Sequence, residues 1–161
     1  MEVVQPESQP TTSPLHNVPV EQLFSESESM YEPQPGGNHL NKITAQGKSD
    51  QASKTSTVLH HCIIAAAKDL GDVKTYLGRP WKQFSMTVVM QCSIDKLVDP
   101  SGWEEWIGHP EFDQTVTYRD FGNQGPEADT SRRAVWLGYK VITTGAEVEK
   151  YTIAAFIYGA Q

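Results

Sequence analysis

The chain has 161 residues, of which 38% are hydrophobic and 20% charged, and its formal net charge at pH 7 is −7. That length fits one domain with a usable core, and no apolar run approaches the roughly 20 residues that cross a bilayer. The charge is unevenly placed: residues 1–40 carry Glu2, Glu7, Glu21, Glu26, Glu28 and Glu32 with no Lys or Arg, and the signs nearly cancel from Asn41 onward. Nothing supplies a basic stripe, so neither a nucleic-acid nor a membrane partner is expected. Cys62 and Cys92 are too few for a disulfide framework, and buried free thiols are the expected state.

In chain order, residues 1–22 read as an acidic, Pro- and Ser-rich disordered tail, because Gln5-Pro6-Glu7-Ser8-Gln9-Pro10-Thr11-Thr12-Ser13-Pro14 offers little to bury. The start has no basic region followed by an apolar one, so no secretory signal is expected there. A folded domain is expected over 23–161, with its pattern clearest from about residue 41. Short β-type runs alternate with turns: Ile43 to Gln46, Ser56 to His60, Cys62 to Ala65, Thr87 to Gln91, Thr115 to Tyr118, and Val135-Trp136. Such spacing predicts an all-β protein, either a sandwich or a solenoid. Thr144-Gly145-Ala146-Glu147 has the form of a capping box. Val148, Tyr151, Ala154, Ala155 and Phe156 follow at helical spacing, which predicts one or two short C-terminal helices.

Tyr76-Leu77-Gly78-Arg79-Pro80-Trp81 is the most informative stretch. Gly78 and Pro80 predict a stiff turn that projects Arg79 and Trp81. A guanidinium can grip a carboxylate with two parallel hydrogen bonds, and an indole can stack on a sugar ring. The plainer alternative is an ordinary turn with one surface Arg and one buried Trp.

Around this hexapeptide stand Asn41-Lys42-Ile43-Thr44-Ala45-Gln46-Gly47, Cys62-Ile63-Ile64-Ala65-Ala66, and Pro100-Ser101-Gly102-Trp103-Glu104-Glu105-Trp106. Gly125-Pro126, Thr130-Ser131-Arg132-Arg133 and Trp136-Leu137-Gly138-Tyr139 follow. The series, in this order, resembles the C-terminal part of plant-type pectin methylesterases (pectinesterases), from about Asn41 to Gln161. The resemblance implies a right-handed parallel β-helix, here its C-terminal coils, with short C-terminal helices on its flank. It implies hydrolysis of methyl esters of polygalacturonate, the modification and catabolism of cell-wall pectin, with pectin as partner and without cofactor or metal. It also implies export to the cell wall, for which this chain shows no signal peptide.

In that family one aspartate attacks the ester carbonyl, a second acts as acid and then base, and glutamine side chains stabilise the oxyanion. Arg79 matches the arginine that holds the nucleophilic carboxylate, and Trp81 matches the tryptophan that contacts the sugar. The two aspartates belong to Gly-Gln-Asp-Thr-Leu and Gly-Thr-Val-Asp-Phe-Ile-Phe-Gly motifs, and neither occurs in this sequence. Extending the pattern through Phe24 puts the nucleophile position near Ser13 or Pro14, neither a carboxylate. No catalytic residue is therefore assigned; Arg79 and Trp81 are the substrate-binding candidates.

Other features carry less. Asp113-Gln114-Thr115 resembles the acid-bearing motif at a glance, yet its neighbours place it on a later segment, where a solvated strand-edge carboxylate is expected. His60-His61 beside Cys62 lacks further ligands, and adjacent strand residues point to opposite faces, so no metal site is expected. Trp103, Trp106, Tyr118 and Trp136 could line a glycan groove, although core positions are commoner for aromatics. The family commonly has Arg at Met86, Gly-Glu-Tyr at Arg119-Asp120-Phe121, and a glycine at Glu127, where a turn needing positive φ would be strained.

Three readings follow: a truncated pectinesterase-family chain inactive by itself, a non-catalytic binder of pectin or of a partner protein, and an incomplete product with no selected function. An exposed coil end, with unpaired strand edges, would also favour self-association.

Overall fold

The computed structural model describes residues 40–66, 70–71, 73–152 and 155. The expectations for the tail over 1–22, for Ser13, Pro14 and the extension through Phe24, and for Ala154 and Phe156 lie outside these residues. Among the described residues there are eight strands: β1 Leu40–Gln46, β2 Thr57–His60, β3 Ile63–Ile64, β4 Lys74–Pro80, β5 Met86–Met90, β6 Ser93–Ile94, β7 Thr117–Phe121 and β8 Tyr139–Val141. All pairings are parallel, and they follow a strict rotation: β1 with β4, β2 with β5, β5 with β7, β7 with β8, and β3 with β6. Single parallel bridges, Thr75 to Val98, Gly78 to Trp103 and Ser93 to Gln124, carry the two shorter sheets into the next coil. The chain thus winds through three sheets in turn and stacks coil on coil, which is a parallel β-helix.

Alternation along the strands builds two cores from one sheet. Val89 points inward with Leu77, Ile64 and Ile94, so that β4, β5, β3 and β6 enclose one apolar lumen, closed by Trp103, Val116 and Tyr118. Val88 and Met90 point the other way and would face water. They are covered instead by Ile142, Val148 and Tyr151. The last two come from α2 (Gly145–Val148) and the 3-10 turn Glu149–Tyr151. Thr144 caps α2 by accepting from the Glu147 N–H, as the capping-box pattern predicts. The short helices therefore stabilise the solenoid by burying an outer sheet face.

Four local expectations are corrected. Tyr76 to Pro80 belongs to strand β4, and the turn comes after it, at Trp81 to Phe84. Gly78 is required there by close approach: a Cβ would sit 2.1 Å from Thr44 Oγ1 and 2.7 Å from Thr44 O on the neighbouring coil. Thr115 ends the one-turn helix α1 (Phe112–Thr115), its hydroxyl bonded to the Gln83 carbonyl, so the strand begins only at Thr117. Val135-Trp136 is loop. Val135 and Leu137 face solvent while Trp136 packs on Tyr118, and pairing resumes at Tyr139. After Gly125-Pro126 the positive φ, 102°, falls on Gly125 itself, so Glu127 carries no such strain.

The later coils are tied by a buried ionic network. Asp120 Oδ2 accepts from Arg133 Nε at 3.2 Å and from Tyr139 Oη at 2.8 Å, and Arg133 also donates to the Pro100 and Glu127 carbonyls at 2.9 and 2.7 Å. Both ionic side chains are 1% exposed. Burial pushes the Asp120 carboxyl up, against the opposing pull of Arg133 and Tyr139.

Candidate functional site

Arg79 and Trp81 sit at the end of β4, where the strand leaves its sheet. Register places Arg79 beside Ala45 and Pro80 beside Gln46. Gln46 then fixes the corner: its carbonyl accepts from Trp81 N at 2.9 Å, and its side-chain Oε1 accepts from Lys48 N at 2.9 Å and Met86 N at 3.0 Å. Ser85 Oγ also donates to the Gln46 carbonyl. The rigidity expected of a Gly-Pro turn comes instead from this hydrogen-bonded hub on the preceding coil.

The Arg79 guanidinium lies 4.5 Å from the centroid of the Trp106 ring, and Trp106 lies 6.3 Å from Trp81, tilted by 36°. Trp81 itself is 55% exposed. Arg79 Nη1 approaches Glu104 Oε2 at 3.9 Å, and Lys42 Nζ holds the same oxygen at 2.9 Å. Glu104 is brought there because its N–H donates to the Gly78 carbonyl at 3.0 Å, extending the sheet one coil further. Tyr76, in register with Lys42, completes the group; burial, then Asp99 and Glu104, push its phenol up. Two cations thus share one carboxylate beneath an aromatic shelf.

The other candidates are dispersed. Trp103 and Tyr118 are buried in the lumen with rings 4.4 Å apart, and Trp136 packs on Tyr118. Of the four aromatics weighed from the sequence, only Trp106 joins Trp81. Asp113 is on α1 rather than at a strand edge, and its carbonyl accepts from Gly138 N at 2.8 Å. The His60 and His61 rings stack, 4.2 Å apart, rather than facing opposite ways. His61 has φ 55° and ends the strand, which cancels the alternation. Lys42 and Glu104 escaped the sequence reading; a Lys and a Glu more than sixty residues apart give no local signal, and only coil stacking joins them.

A pectinesterase family model matches residues 22–160. The chain belongs to the pectinesterase family. It is 46% identical over 129 residues to pectinesterase/pectinesterase inhibitor 3 of Arabidopsis thaliana, covering 78% of this chain and 22% of that protein. Against pectinesterase/pectinesterase inhibitor U1 of Solanum lycopersicum it is 45% identical, with the same coverage. Among solved structures, pectin methylesterase from carrot matches with a TM-score of 0.72 at 42% identity, covering 78% of this chain and 40% of that one. The Aspergillus niger pectin methylesterase matches at 0.58 and 25%, covering 73% and 37%. The chain spans less than a quarter of the length of the curated relatives it matches. The family's parallel β-helix accords with the coil rotation described above, and no helix among the described residues is long and apolar enough to cross a membrane.

Proposed function

We propose that these 161 residues carry the substrate-facing corner of a pectin-de-esterifying solenoid and are catalytically inactive on their own. Arg79 and Trp81 are its substrate-binding residues, within a domain running from about residue 23 to 161. The observation that supports this most directly is the guanidinium held over Trp106 beside the exposed Trp81, with Glu104 as its only carboxylate among the described residues. Ester hydrolysis by this route needs an oriented nucleophilic carboxylate and a second carboxyl to move protons. Glu104 is already neutralised by Lys42 and Arg79, and neither aspartate motif of the family occurs in the sequence. Losing one member of a catalytic unit typically costs several orders of magnitude, and here both acids are gone. The purified chain is expected to release no methanol from methylated pectin above the buffer blank. Robust turnover that Arg79→Ala abolishes would overturn this reading.

A second reading is favoured by one feature, the solvent-facing Trp81 paired with Trp106. It is a non-catalytic binder of pectin at the cell wall, and β1, β2 and β3, each paired on one side only among the described residues, add edges for self-association. Calorimetry with polygalacturonate oligomers tests it: binding should weaken on Trp81→Ala, and no heat with any oligomer would remove it.

A further inference from the structure

We propose that Cys62 and Cys92 are an oxidisable pair that closes to a disulfide joining two adjacent coils. The two residues lie 30 positions apart and occupy the same corner of successive coils. On one side of the corner His60 pairs with Met90, and on the other Ile63 pairs with Ser93, so Cys62 stacks on Cys92 in register. Each cysteine follows a residue of matching left-handed backbone, His61 at φ 55° and Gln91 at φ 54°, so the two corners bend alike. Neighbouring parallel strands lie about 4.8 Å apart, within the roughly 4.4–6.8 Å between Cα atoms that a disulfide spans. Cys92 Sγ accepts from Cys62 N at 3.4 Å, so the sulfur of one coil already lies against the cysteine of the other.

Unequal burial sets the order of events. Cys62 is half-buried and reachable, whereas Cys92 is 1% exposed, and burial pushes its thiol up to about 12. The oxidant is a low-molecular-weight disulfide. The Cys62 thiolate attacks one of its sulfurs, forming a mixed disulfide and expelling one thiolate. Cys92 then loses its proton and attacks the Cys62 sulfur, expelling the second thiolate. Two thiol protons leave, the protein loses two electrons, and the reagent takes them up as two thiols. Cys92 is the resolving residue because nothing larger than its neighbour reaches it.

The native chain incubated with oxidised glutathione is expected to form no interchain disulfide and to lose the mass of two hydrogens. A non-reducing peptide map should show Cys62 linked to Cys92, with the thermal midpoint raised by several degrees and restored by reductant. Cys92→Ser should instead hold glutathione stably on Cys62. Accumulation of a glutathione adduct on wild-type Cys62, with Cys92 still a free thiol after unfolding, would overturn the pairing, as would linkage found only between chains.

Discussion

Removing the Asp120 carboxylate tests how the later coils are held. In Asp120→Ala the buried Arg133 keeps its bonds to the Pro100 and Glu127 carbonyls but loses its anionic partner at 3.2 Å, and Tyr139 Oη loses its acceptor at 2.8 Å. Breaking a buried ion pair from one side costs about 3–5 kcal/mol, because the remaining charge stays desolvated. An orphaned buried hydroxyl adds about 1–3 kcal/mol if it finds no water. A loss of about 4–8 kcal/mol is expected if both apply, a large share of the roughly 5–15 kcal/mol that holds a domain together. Urea unfolding followed by tryptophan fluorescence measures it. The companion variant Asp120→Ala/Arg133→Met removes both charges and should be more stable than Asp120→Ala by at least about 1 kcal/mol. A single-variant loss below about 1 kcal/mol, or a double variant no better than the sum of its parts, would refute the network as the tie between these coils.

Gly78→Ala forces a methyl onto the Thr44 hydroxyl and carbonyl of the neighbouring coil. A loss of about 1–3 kcal/mol is expected, visible as a lower urea midpoint. Trp81→Ala, at an exposed ring, should leave the unfolding midpoint within about 0.5 kcal/mol of wild type while lowering affinity for pectin oligomers. Closing the Cys62–Cys92 loop of 30 residues should stabilise the oxidised chain by about 3–4 kcal/mol over the reduced one. Asp99 supplies a pH test. Burial pushes its carboxyl up, but hydrogen bonds from Ser101 and the charge of Lys74 outweigh this and hold it below the usual carboxylate range. A carboxyl lowered by folding stabilises above its unfolded value, and that stability is lost as pH falls through the folded one. Ser101→Ala should therefore flatten the acid limb of the stability curve below about pH 4, and an unchanged limb would count against the assignment.

Much of the fold was legible along the chain, because β-helix strands are short, β-branched and punctuated by turns. The runs at Ile43 to Gln46, Ser56 to His60 and Thr87 to Gln91 became β1, β2 and β5 with small changes at their ends. Thr144 and Glu147 foretold a helix start because a capping box is a contact between near neighbours in sequence. Periodicity failed at Val135-Trp136 and at Gly78, where the deciding neighbours belong to another coil. Alternation misread His60-His61 for a related reason, since one left-handed residue at a coil corner resets which way side chains point.

The sequence by itself determined the short-strand rhythm, the family, and Arg79 and Trp81 as a pair worth asking about. All of these are carried by residues close together in the chain. Only the tertiary structure decided what that pair touches: Trp106 under the guanidinium, and Glu104 shared with Lys42. A solenoid makes its contacts between residues about one coil apart, so its surface chemistry is written across coils and becomes readable only once they are stacked.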